Sequence, residues 1–197
     1  MTTGSRAWIG LAALLAAAAL ACSGVDPGSL DWQPARAGRE PWRAFSAVAV
    51  HYSALHLAAN LAGAALVGAL GAAARVPARM VWAWACAWPL TQLGLLARPD
   101  LAHYGGLSGV LHAGAAVVAI HLVRTGPRPR RLIGAALGAG LVVKVLTESP
   151  WDAALRHPAG WDIATAPLAH ASGLIAGLAC ALAAEALRRR TVVPDDA

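Results

Sequence analysis

The sequence predicts an all-α, polytopic membrane protein: a bundle of six transmembrane helices. Three observations carry the prediction. Of the 197 residues, 58% are hydrophobic and only 13% charged, a balance foreign to soluble domains. Apolar segments alternate with short charged stretches, and a span needs roughly 20 residues. Ala, Gly and Trp are abundant while Phe occurs once. Small residues suit helix packing in lipid, where apolar side chains gain little by leaving one apolar medium for another.

The six segments run at about 8–25, 46–74, 80–97, 107–123, 132–147 and 163–187. The first, "MTTGSRAWIGLAALLAAAALACSG", has a basic start, an apolar run and small residues ahead of Cys22. It reads as a retained span, with a signal peptide or a lipid-modified Cys22 as the alternatives. "ALAC" lacks the large aliphatic residue three positions before the cysteine that acylation signals carry. Residues 1–30 thus form a first transmembrane helix or signal-like segment, 31–190 a membrane core, and 191–197 a disordered cytoplasmic tail. Trp82, Trp84 and Trp88 in the third segment read as lipid packing or an interfacial belt. Cys22, Cys86 and Cys180 show no CxxC spacing, so neither a disulfide framework nor a zinc knuckle is implied.

The net charge of +6 is mostly a topology signal. With the N-terminus inside, the cytoplasmic segments hold ten arginines and the opposite side five, Lys144 lying within a span. The bias gives N-in, C-in. Membrane lipids, rather than nucleic acid, are the partner this charge addresses.

Strongly polar side chains inside a span are costly and point to function. The second segment carries His51, His56 and Asn60 in "HYSALHLAANLAG". The fourth opens with "GGLSGVLHAG", giving Ser108 and His112, and the sixth holds His170 in "APLAHASGLIAG". All three segments run from outside to inside. Counting from the arginine at each inner end, at about 1.5 Å per residue, puts Ser108 about 24 Å away, His170 about 27 Å, His56 about 28 Å and Asn60 about 22 Å. The four groups therefore share one layer beneath the outer surface.

Their chemistry assigns roles. A serine becomes a good nucleophile when a base takes its proton, and His170 can take that proton and later return it to a leaving amine. His56 and Asn60, spaced i, i+4, share a helix face and can both donate hydrogen bonds to an oxyanion. Ser108 begins a helix, whose unpaired N–H groups favour the same charge. Gly105 and Gly106 permit irregular backbone, and Gly109 a close helix approach; Gly173 and Gly177 form a GxxxG on the histidine span. Each feature alone has a plain reading: helix glue for the serine, interhelical hydrogen bonds for the histidines and asparagine, packing for GxxxG. The conjunction at one depth is what argues for a site.

These residues resemble the rhomboid intramembrane serine proteases. That family pairs a GxSG serine on its fourth span with an AHxxGxxxG histidine on its sixth. It also has a histidine–xxx–asparagine on its second, five residues after another histidine. Here the matches are "GLSG" (106–109), "AHASGLIAG" (169–177), and His51, His56 and Asn60. Trp42 and Arg43 stand where the family has a tryptophan–arginine pair ahead of the second span. The resemblance covers about residues 40–187. It implies a six-helix fold, a Ser108–His170 dyad, an oxyanion site at His56, Asn60 and Ser108, support from Gly106, Gly109, His112 and Gly173, and neither cofactor nor metal. A narrower likeness is to rhombosortases, through "GLSGVLHAG" and the Lys144–Glu148 pair of "KVLTES". Ala113 departs from the glycine common there. That likeness implies cleavage of the C-terminal GlyGly-CTERM sorting tail of exported proteins in the bacterial inner membrane, on its periplasmic side.

The same residues allow other readings. A catalytically inactive rhomboid-like binding protein would share the fold. A metal or haem protein could use His51, His56, His103, His112 and His170, although neither HExxH nor an opposed histidine pair is present. Lys144 and Glu148 read as an intrahelical pair, or as a contact for a substrate carboxylate or a lipid headgroup. His112 packs against His170 or bonds to a neighbouring helix, His51 anchors a loop, and Asp162 lies too near the surface to orient His170. A dyad without a buried acid is expected.

Overall fold

A computed structural model describes residues 1–192, with side chains through Arg188. The described residues form eight α-helices: α1 (Thr3–Ala21), α2 (Pro27–Leu30), α3 (Arg43–Ser46), α4 (Ala54–Ala73), α5 (Ala78–Leu93), α6 (Ser108–Thr125), α7 (Arg128–Thr147) and α8 (Pro167–Val192). Extended pairing among them is limited to two isolated bridges, Trp32 with Tyr104 and Arg156 with Thr165. The all-α membrane bundle is therefore present. By length and composition, α1, α4, α5 with its 3-10 continuation to Ala97, α6, and α8 to Arg188 can each cross a membrane. The sixth long helix, α7, has the 20 residues of α4. Arg128, Arg130, Arg131 and Lys144 lower its hydropathy and place its ends at polar surfaces.

Several boundaries differ from the expected segments for local reasons. The second segment is not helical from residue 46. Ala47–Ala49 form a 3-10 turn, Val50 is extended, and the helix starts after Ser53, whose hydroxyl accepts from the His56 N–H at 3.0 Å. His51 therefore sits on a loop. The sixth segment starts at Pro167, where a missing N–H costs nothing. Of the tail expected at 191–197, Thr191 and Val192 still belong to α8, and 193–197 lie outside the described residues.

The centre of the bundle is α6. Twelve of its 18 residues are buried, against two of 20 in α7, so α6 is the axis the other helices wrap. Its closest neighbour is α8, and glycine makes that closeness possible. A Cβ on Gly173 would stand 1.9 Å from the Gly109 carbonyl oxygen, and one on Gly177 would stand 2.4 Å from that of Ala113. Only a chain without side chains at those points lets two backbones touch.

The first helix is fully engaged with this bundle. Trp8 is completely buried, its ring centroid 4.4 Å from that of Trp84, and its Nε1 donates to the Val67 carbonyl at 2.9 Å. Gly71 makes room for it, since a Cβ there would meet the indole nitrogen at 2.1 Å. Trp84 thus belongs to the core rather than to a lipid-facing belt, and its Nε1 donates to the Val110 carbonyl. Trp82 on the same helix is exposed, as are Leu66, Leu132, Val143 and Ile175. In a membrane protein such outward apolar faces meet lipid.

Candidate active site

The loops at one end of the bundle are held by a buried carboxylate. Asp31 is 1% exposed and accepts from Gln33, from Arg43, from the Tyr52 hydroxyl at 3.1 Å, and from His103 Nδ1 at 2.8 Å. Arg43 also donates to the carbonyls of Gly28 and Asp31 and pairs with Glu40. That explains its burial beside an exposed Trp42. Burial, followed by the Asp31 charge, pushes the Tyr52 hydroxyl well above its ordinary pKa, so the phenol stays a donor. Burial likewise lowers the pKa of His51. The Arg43 guanidinium, with Arg36 behind it, holds Glu40 below the usual carboxylate range. On the far side, the Ser53 hydroxyl donates to Asp162 at 2.8 Å, tying the α7–α8 loop to the start of α4.

Below these loops lies a cavity of about 840 Å³. Ser108, His112, His170, His56 and Asn60 all line it, as do Lys144, Glu148 and Arg156. The four groups that depth counting put in one layer thus face one space. Its size is within the range of ligand sites.

Ser108 is the first residue of α6, and its backbone turns in from Gly106, which has φ +128°. That conformation favours glycine, and so does the neighbourhood. A Cβ at Gly106 would lie 2.7 Å from His56 Nε2 and 3.9 Å from Asn60 Nδ2. The loop ahead of the serine therefore runs directly over the His56–Asn60 face. Gly105 is pressed as closely on Val50, and Gly106 N–H donates to the Ala47 carbonyl.

His170, on the first turn and a half of α8, meets Ser108 across the glycine contact. His170 Nε2 lies 2.9 Å from Ser108 Oγ, and its Nδ1 lies 2.6 Å from Glu148 Oε2. A carboxylate only accepts, so Nδ1 carries the proton, and Nε2 of the neutral ring must accept from the serine hydroxyl. Glu148 is the C-cap of α7, and its other oxygen pairs with the Lys144 ammonium. The intrahelical pair expected from the i, i+4 spacing is present. Glu148 also has a second contact, on His170, which the expectation of a dyad without a buried acid did not include; the carboxylate is half-buried. Asp162 takes no part, being occupied by Ser53.

The His112 ring stacks on that of His170, with centroids 4.3 Å apart and planes 16° apart, and its Nδ1–H donates to the Ser108 carbonyl at 2.7 Å. His56 Nδ1 accepts a long bond, 3.4 Å, from the Tyr52 N–H, so the neutral ring carries its proton on Nε2, the atom nearest Gly106. The His51 ring lies 4.7 Å from that of His56. Asn60 Nδ2 donates to the His56 carbonyl of its own helix at 2.9 Å, while its buried Oδ1 has no partner. Among the described residues no group of three or more His, Cys, Asp or Glu is disposed to hold a metal ion.

The profile of the Rhomboid domain family matches residues 38–187. The chain belongs to the rhomboid family. Its members are intramembrane serine proteases, and the match spans everything from the Arg43 anchor to the end of the apolar part of α8. No individual curated protein matches this rhomboid. The residues that sequence reasoning missed are Glu148 as a partner of His170, and Asp31. Asp31 had no sequence signal, and Glu148 had one only as the i, i+4 partner of Lys144, because the contacts with His170, Arg43, Tyr52 and His103 are distant in sequence.

Proposed function

We propose that this rhomboid is an active intramembrane serine endopeptidase, with Ser108 as nucleophile and His170 as general base. The observation that carries the reading is the 2.9 Å contact between Ser108 Oγ and His170 Nε2, beside a cavity large enough for a peptide segment. Ser108 Oγ attacks the carbonyl carbon of the scissile bond, and its proton passes to His170 Nε2. The resulting oxyanion lies over the first turn of α6, where N–H groups lack intrahelical acceptors. His56 Nε2–H and the Asn60 amide supply further donors, the amide after turning partly from its own helix. Breakdown of the tetrahedral intermediate expels the amine, which takes the proton from His170. A water, or another nucleophile, then releases the acyl group from Ser108.

The substrate in this reading is the C-terminal sorting tail of an exported protein, in which a glycine-rich junction precedes a membrane span and a basic end. The support is the rhombosortase-like "GLSGVLHAG" and the Lys144–Glu148 pair. Glycine at the junction suits a half-buried nucleophile, because a segment without side chains unwinds readily and enters a narrow space. The protein sits in the bacterial inner membrane, N-in and C-in, with the cavity towards the periplasm. The ten-to-five arginine bias supports this orientation.

Tail exchange tests the proposal. A passenger protein carrying a GlyGly-CTERM tail, co-expressed with the chain, is expected to acquire a new C-terminus near the glycines, read by mass spectrometry. An ordinary membrane anchor in its place is expected to stay intact. Cleavage of both tails alike would remove the sorting assignment, and cleavage of neither, in membranes containing folded protein, would remove the peptidase.

A further inference from the structure

The peptidase reading needs only a serine and a histidine, yet His170 is held from behind. Glu148 stands at the end of α7, and the backbone turns away immediately after it: Ser149 has φ +48°, a left-handed conformation that non-glycine residues rarely adopt. Such a turn is strained and persists only where surrounding contacts enforce it. They do so here. The Ser149 N–H donates to the Leu146 carbonyl, the Glu148 N–H to that of Val145, and Arg156 Nη1 reaches the Glu148 carbonyl at 3.0 Å. The side chain is fixed as well. Lys144 takes Oε1, leaving Oε2 aimed at His170 Nδ1, 2.6 Å away. Along its length α7 packs on α6, with Gly134 against Leu122 and Ala119, and it touches α8 only sparsely. The Glu148–His170 bond is thus a specific bridge across a thin interface.

We propose that Glu148 is a positioning residue that completes a Ser108–His170–Glu148 triad, with Lys144 orienting its carboxylate. The inference rests on the peptidase reading and deepens it. The carboxylate keeps the imidazole proton on Nδ1, so that the Nε2 lone pair always faces the serine. It also offsets the positive charge that the ring acquires when it takes the serine proton. A simple intrahelical ion pair would need only Lys144 and would leave His170 free to adopt either tautomer.

The test compares wild type, Glu148→Gln and Glu148→Asp in detergent micelles, by two readouts. Fluorophosphonate labelling at Ser108 is expected to slow by about 10²–10⁴-fold in Glu148→Gln, the range of a positioned acid–base contribution, with recovery of part of that loss in Glu148→Asp. With a peptide substrate the loss is expected in kcat, with KM little changed. ¹⁵N-histidine spectra, assigned with His170→Asn, are expected to show His170 as the Nδ1–H tautomer in wild type and a mixture in Glu148→Gln. A Glu148→Gln protein that labels at the wild-type rate, or an unaltered His170 tautomer, would overturn the inference. Should Glu148→Gln fail to fold, Glu148→Asp carries both readouts. A wild type that never labels at Ser108 would instead overturn the peptidase reading, and the tautomer comparison would still decide the role of Glu148.

Discussion

At the scale of single residues, one hydrogen-bonded line runs from Ser108 through His170 to Glu148, and the proposed chemistry rests on it. Ser108→Ala and His170→Ala are each expected to abolish cleavage while the thermal unfolding of the purified protein stays near that of wild type. Substantial turnover by either variant would contradict the assignment. Asn60→Ala is expected to act less severely, within the roughly 10²–10³-fold that one oxyanion donor supplies, because His56 Nε2–H and the α6 N-terminus share the task. Measured kcat at the wild-type value would clear Asn60 of that role. Much of this line was legible in the sequence. Ser108, His170, His56 and Asn60 are polar groups that a membrane span tolerates only for a reason, and similar counts to the inner arginines gave them one layer. Glu148 was legible only as a partner of Lys144, because its contact with His170 bridges 22 positions and depends on where α7 ends.

At the scale of elements, small residues decide which helices meet. Ser108 and His170 are in register because α6 and α8 touch backbone to backbone at Gly109 and Gly173. Gly173→Val is expected to force the two helices apart. It should cost about 1–3 kcal/mol, as overpacking does, and should slow fluorophosphonate labelling although no reacting atom changes. Wild-type labelling in that variant would show that the contact does not set the register. In α1, Trp8→Ala is expected to lower stability by about 3–5 kcal/mol. It leaves a void beside Trp84 and Gly71 and removes the bond to Val67. Denaturation in mixed micelles measures this. The GxxxG of α8 was readable in advance, since glycine spacing is a local property. The break at Val50–Ser53 was not, because the apolar residues 47–50 read as continuous span until Ser53 is seen to cap α4. Trp84 likewise read as belt, and only the approach of α1 and α6 makes it core.

At the scale of the whole molecule, the fold holds a water-accessible cavity at the polar end of a lipid-embedded bundle. The Asp31 cluster and the Ser53–Asp162 bond join its loops above that cavity. The arginine bias predicts both termini inside. A fluorescent protein fused after residue 197 is expected to mature, and alkaline phosphatase at the same place to stay inactive; the reverse pattern would invert the proposed orientation. The all-α bundle and the family were legible because composition and motif spacing survive without tertiary information. The Asp31 cluster was not, because a lone aspartate in a polar loop carries no sign that Arg43, Tyr52 and His103 will converge on it. In the proposed function the bundle activates one hydroxyl, that of Ser108. Peptide mass spectrometry after fluorophosphonate treatment tests it most directly. A single adduct on the Ser108 peptide, absent in Ser108→Ala and strongly reduced in His170→Ala, is the expected result; no adduct on folded wild type, or one indifferent to His170, would contradict it.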